Sequence, residues 1–175
     1  MNTIKIMAPE VLRKNPFQLI GKDWMLITAG NEDKVNTMTA SWGGLGVMYG
    51  KNVAYVVIRP TRYTKEFVDQ EETFSLSFFD KTYRKTLNYL GTVSGRNEDK
   101  IAISKLSVVR YEGTPYFDEA QLVFICKKLF KQPLNTDGLL NDQLKQTWYR
   151  TGDYHTLYIA EITAVLQIRS ISQSE

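Results

Sequence analysis

Six runs rich in β-branched and aromatic residues, each of strand length, dominate the chain: Trp24–Gly30, Val53–Ile58, Thr73–Phe78, Leu106–Tyr111, Ala120–Phe130 and His155–Ile168. Thr73–Phe78 alternates strictly, which puts Phe74, Leu76 and Phe78 on one strand face and the hydroxyls on the other. Helical patterns over Tyr63–Asp69, Tyr83–Leu90, Glu98–Lys105 and Leu139–Gln146 fall between these runs, without the regular alternation of a βαβ fold. The pattern predicts a mainly β fold with short helices packed over the ends of the sheet. No internal repeat or Pro/Gly-rich linker marks a boundary, so residues 1–175 read as one domain.

The 43% hydrophobic content is enough for a sizeable core, and the 12% aromatic share suits strand faces and pockets for flat ligands. Twenty-two Lys and Arg against 19 Asp and Glu leave a net charge of +3, with both signs interspersed, so bulk nucleic-acid binding is not expected. A local anion site stays open. The single Cys126 cannot form an intramolecular disulfide, and with one Cys and one His the chain offers no metal site of its own. The N-terminus has no apolar signal core, and no apolar run approaches the roughly 20 residues that cross a bilayer. A soluble, cytoplasmic protein is the expectation.

Four segments carry groups suited to ligand chemistry. Asn36-Thr37-Met38-Thr39-Ala40-Ser41-Trp42-Gly43-Gly44 offers short hydrogen-bonding arms and small residues able to line a heteroaromatic ring; alone it also reads as a strand and a Gly-Gly turn with Trp42 in the core. Ile58-Arg59-Pro60-Thr61-Arg62-Tyr63-Thr64 sets two guanidiniums and two hydroxyls where a strand ends and a helix starts. That composition suits a phosphate, or equally a capped helix with solvated arginines. Ser94-Gly95-Arg96-Asn97-Glu98-Asp99-Lys100 can add a second wall of N–H donors and a cation, or be an ordinary polar turn. Gly152-Asp153-Tyr154-His155 brings the one histidine to the start of the last strand, where it can bond a ligand or deliver a proton near neutral pH. Cys126, inside Leu-Val-Phe-Ile-Cys, reads as a buried core thiol.

Taken in order, NTMTASWGG, IRPTRYT, SGRNEDK and GDYHTLYIAEI resemble the flavin reductase-like, FMN-binding split-barrel family, which includes flavoredoxin, over about Pro16 to Ile168. The resemblance implies a split six-stranded antiparallel barrel of Greek-key character, a homodimer, and FMN near the subunit interface. It implies a ring wall of Asn36, Met38, Thr39, Ala40, Ser41 and Trp42, and a phosphate site of Arg59, Thr61, Arg62 and Thr64 helped by Ser94, Gly95 and Lys100. His155 would approach the flavin in a catalytic role. Ala160 stands where relatives often carry glycine.

Within that reading FMN carries the electrons, and Lys100 or a protonated His155 near the ring would stabilise its anionic reduced form. NADH or NADPH is the expected donor; with no Gly-x-Gly-x-x-Gly segment to hold it, the donor would stack directly on the flavin. A redox protein partner, or a flavin carrier or store without NAD(P)H turnover, is the alternative. A haem or single-stranded nucleic-acid barrel fits the modest charge and lone His155 poorly.

Overall fold

The computed structural model describes residues 2–170. Ten strands form: β1 Asn2–Met7, β2 Met25–Gly30, β3 Val35–Ala40, β4 Gly43–Met48, β5 Lys51–Ile58, β6 Thr73–Phe78, β7 Val108–Tyr111, β8 Thr114–Phe117, β9 Leu122–Pro133 and β10 Thr156–Ser170. The helices are α1 Pro16–Gln18, α2 Thr64–Gln70, α3 Arg84–Thr92, α4 Lys100–Ser104 and α5 Asp142–Trp148, each within a few residues of the sequence expectation where one exists. Strands β7 and β8 make a separate hairpin, and the other eight form one antiparallel sheet.

That sheet runs β3-β2-β6-β9-β10-β5-β4, with β1 added on the C-terminal half of β10. Five of the six expected strand runs lie in this sheet as β2, β5, β6, β9 and β10; the sixth, Leu106–Tyr111, instead pairs in the β7–β8 hairpin, and β3, β4 and β1 complete the sheet. The two end strands of the path, β3 and β4, are consecutive in the chain and separated only by Ser41 and Trp42. Ala40 and Gly43 therefore lie within about 11 Å of each other, and the sheet must curl until its ends meet. Gly43 sits at this corner, where a Cβ would stand 2.5 Å from the Tyr55 carbonyl oxygen. The non-sequential order of antiparallel neighbours is that of a split barrel with Greek-key connections.

Two cores explain why several strands do not alternate. Phe74, Leu76 and Phe78 of β6 fill the barrel interior with Phe124, Cys126, Tyr158 and Ile58. The opposite face is buried as well, because α3 and the β7–β8 hairpin cover it with Leu87, Leu90 and Phe117 against Val123, Ile125 and Leu166. The hydroxyl face of β6 is thus internal, and Ser75 Oγ donates to the Pro115 carbonyl at 2.6 Å. In β10 the interior residues are Tyr158, Ala160 and Ile162, then Val165, while Ala164, Leu166 and Ile168 face the outer core. A register shift between Ile162 and Ala164 accounts for this change of parity. Ala160 is fully buried opposite Ala54 of β5, so the small side chain is accommodated.

The Tyr158 hydroxyl leaves the interior and donates to Asp69 Oδ1 at 2.8 Å, where Lys65 and Lys131 also bind. Burial raises the Asp69 pKa, but the two lysines and the Tyr158 hydroxyl outweigh it and hold it at about 2. Because that value is depressed in the folded state, the linked stability is present above about pH 4 and is lost as pH falls toward 2. Asp69→Asn is expected to lose about 2 kcal/mol at pH 7 and to flatten the acid limb of the stability profile, as read by urea unfolding at pH 7, 4 and 2.5.

Candidate functional site

A cleft of about 300 Å³ opens where the ends of β3 and β5 meet the start of β10. Strand alternation sends Asn36, Met38 and Ala40 to the barrel side and Thr37 and Thr39 to the outer side. Met38 joins the core, and Thr37 Oγ1 pairs with Thr28 Oγ1 at 2.9 Å. Thr39 Oγ1 donates to the Leu87 carbonyl of α3, which fixes that helix against the cleft wall. Of the residues anticipated from the sequence, Met38, Thr39, Ala40, Ser41, Trp42, Arg59, Arg62 and His155 line the cleft.

The others stand behind it. Asn36 Nδ2 donates to Thr64 Oγ1 at 2.9 Å, both residues being buried, and a Cβ on Gly95 would collide with Asn36 Oδ1. Asn36, Thr64 and Gly95 therefore lock β3, α2 and the 94–97 turn together. Ser94 Oγ accepts the Arg96 backbone N–H, and Thr61 is exposed, its carbonyl accepting from Arg96 Nη1.

The four cations of this region separate into two kinds. Arg59 Nη1 forms an ion pair with Asp153 at 2.6 Å and its Nη2 donates to the Trp148 carbonyl at 2.8 Å; Arg96 is paired with Glu66. Arg62 and Lys100 have no carboxylate partner among the described residues. Arg62 Nη1 donates to the Gly91 carbonyl, and the buried Lys100 Nζ donates to the Leu90 and Val93 carbonyls, all at the C-terminal end of α3. The helix dipole there holds two adjacent cations. Burial lowers the pKa of both, and for Lys100 burial together with the nearby Arg62 charge brings it to about 8. A half-buried and a buried like charge with no counter-charge among the described residues are an incomplete electrostatic arrangement, and a phosphate is a group that would complete it. Of the expected phosphate residues, Arg62 and Lys100 keep no carboxylate partner among the described residues, while Arg59 is committed to Asp153 and the Trp148 carbonyl. Lys100, expected to help hold the phosphate, stands beside Arg62 at the end of α3 and away from the Met38–Trp42 wall.

His155 is corrected in its charge. Its ring is buried and bonds the Tyr149 hydroxyl through Nδ1 at 2.8 Å. Burial, reinforced by Arg59 and only partly opposed by Asp153, pushes its pKa down to about 4, so it is neutral at pH 7. It can donate or accept a hydrogen bond in the cleft but supplies no positive charge there.

The structure adds Val57, Gly91 and Trp148 to the cleft lining. The Trp42 and Trp148 rings meet edge-on at 4.8 Å, and Trp42 lies 5.1 Å from His155. Trp148 belongs to the β9–β10 connection, whose aromatic run Trp148-Tyr149 with Tyr154 was the available sequence signal. A larger depression of about 970 Å³ lies beyond the other end of β10, bordered by Met7, Phe79, Gln121 and Arg169, and away from the unpaired cations. Among the described residues no group of three His, Cys, Asp or Glu gathers as a metal site, and no helix is long and apolar enough to cross a membrane.

Residues 18–174 match the flavin reductase like domain family, and the chain belongs to that family. Among solved structures, it is similar to an FMN-binding domain of a flavin reductases-like enzyme from Shewanella baltica. That match has 16% identity and a TM-score of 0.69, covering 95% of this chain and 78% of that one. Flavoredoxin of Desulfovibrio vulgaris matches at 21% identity and TM-score 0.64, covering 97% and 80%. An FMN-binding protein from Thermus thermophilus, solved with p-hydroxybenzaldehyde, matches at 20% identity and TM-score 0.67, covering 96% and 81%. No curated protein sequence matches the chain.

Proposed function

We propose that the chain binds FMN non-covalently in this cleft and works as an oxidoreductase, passing electrons from NADH, NADPH or a protein donor to a second acceptor. The observation that carries the reading is the half-buried Arg62 on the cleft wall with the buried Lys100 behind it, both left without a carboxylate among the described residues. A flavin phosphate would seat on Arg62 with the Lys100 charge behind it, and the ring would lie along Met38–Trp42. The Shewanella and Thermus proteins are described as FMN-binding, and the same ligand is proposed here.

FMN supplies the redox chemistry when bound. The protein's own part is to orient the ring with β3, neutralise the phosphate, and present the neutral His155 as a hydrogen-bonding wall. Because His155 stays neutral to about pH 4, it is not an imidazolium acid at pH 7. The second reading, a flavin carrier without NAD(P)H turnover, is supported by the likeness to flavoredoxin. A homodimer with FMN near the interface is part of the proposal, supported by the edge strand β4, which starts beside the cleft at Gly43 and exposes Val47 and Met48, with Tyr49 of the following turn, at its far end. A reducing, cytoplasmic setting agrees with the single, buried Cys126.

The purified protein is expected to be yellow, or to take up added FMN with quenching of flavin fluorescence; a colourless protein that takes up none overturns the proposal. Stopped-flow mixing of the loaded protein with NADH then separates the readings, since the oxidoreductase bleaches rapidly and the carrier does not.

The Lys100 pKa gives the phosphate contact a pH dependence. The ammonium is the phosphate-binding form, so FMN affinity is expected to fall as pH rises from 7 to 9, with Lys100→Met removing the trend. Riboflavin, which lacks the phosphate, should show no such dependence in the same titration.

A further inference from the structure

We propose that Arg59 is a positioning residue that latches residues 135–154, the connection between β9 and β10, as a cover over the cleft and so controls ligand entry. This rests on the reading of the cleft as the flavin site. The connection returns to its own start, because the Leu134 N–H donates to the His155 carbonyl at 2.8 Å and closes the base of the loop. Inside the loop, Tyr149 stacks on Tyr154 at 4.6 Å and Thr136 Oγ1 bonds the Tyr154 hydroxyl, so it can move as one body.

Its hold on the barrel is narrow. Every residue of α5 is exposed, and Leu140, Leu144 and Trp148, spaced by four, leave an apolar stripe largely in solvent. Among the described residues the polar attachments are the bond from the buried Tyr149 to His155 and those of Arg59, beside the edge-on Trp42–Trp148 contact. Its guanidinium reaches Asp153 at one end of the loop's final turn and the Trp148 carbonyl at the other, and lies over the Tyr149 ring. A fork with fixed geometry is suited to bridge two such points at once. Releasing it frees Trp148, which borders the cleft, without touching Arg62 or Lys100.

Two measurements on the full chain test this. In the flavin-free protein, trypsin cleavage after Lys145 and Arg150, identified by mass, is expected to accelerate at least fivefold in Arg59→Ala and Asp153→Asn and to recover partly in Arg59→Lys. With FMN, stopped-flow fluorescence is expected to show association and dissociation rate constants rising together in Arg59→Ala, about fivefold or more, because a gate acts on passage both ways. If Arg59 were instead a phosphate ligand, its loss would raise dissociation alone. Unchanged cleavage overturns the latch, as does a rise confined to dissociation. Should Arg59→Ala fail to fold, Asp153→Asn carries both measurements. The cleavage arm needs no flavin, so its failure is distinct from failure of the protein to take up FMN.

Discussion

Replacing Arg62 with alanine is expected to raise the Kd for FMN by about one to two orders of magnitude, the equivalent of about 1.5–3 kcal/mol for a charge-assisted phosphate contact. The size of the effect follows from the setting. Arg62 borders the cleft, spends one guanidinium nitrogen on the Gly91 carbonyl, and among the described residues has no carboxylate to compete with an incoming anion. Its burial has already cost it hydration, so a phosphate gains a partner that water does not fully occupy. Arg96→Ala is the control, since its guanidinium is neutralised by Glu66, and it should change the Kd by less than about threefold. Fluorescence titration of FMN against each variant provides the measurement, and an unchanged Kd for Arg62→Ala removes that residue from the site.

The same contrast shows how far the sequence reaches. The tract Arg59-Pro60-Thr61-Arg62 announces an anion site by composition, but which guanidinium serves it depends on carboxylates far away in the chain. Asp153 lies 94 residues from Arg59, and no local pattern pairs them. His155 was legible as a cleft residue, whereas its neutrality comes from burial that only the fold creates. Among the strands, the long β-branched runs were plain, and β1, β4 and β8 were not. Strand β1 alternates but leaves Ile4 and Ile6 largely exposed, β4 carries three glycines, and β8 contains Pro115, each a feature that weakens a local strand signal. Pairing with β10, β5 and β7 respectively makes these segments strands. The lining contributed by Trp148 was missed for a related reason: its helix has no buried face, and it reaches the cleft only through the turn that follows.

Phe124→Ala is expected to destabilise the protein by about 3–5 kcal/mol, a large part of the total stability of an ordinary domain. Phe124 is fully buried on β9, opposite Leu76 of β6 on one side and Val165 of β10 on the other, with the Phe78 ring edge-on at 5.2 Å. Removing the ring opens a cavity at the centre of the barrel, where three hydrogen-bonded strands limit collapse. Ile103→Ala on α4 removes an aliphatic chain that is 54% exposed and should shift stability by no more than about 0.5 kcal/mol. Urea unfolding followed by tryptophan emission compares the two. The barrel interior and the cleft share β3, β5 and β10, so a loss at Phe124 should also weaken FMN binding above the temperature at which the variant begins to melt, and leave the Kd near its original value below it. A Phe124→Ala protein as stable as the parent would show that the barrel interior is not the core that holds the cleft walls in place.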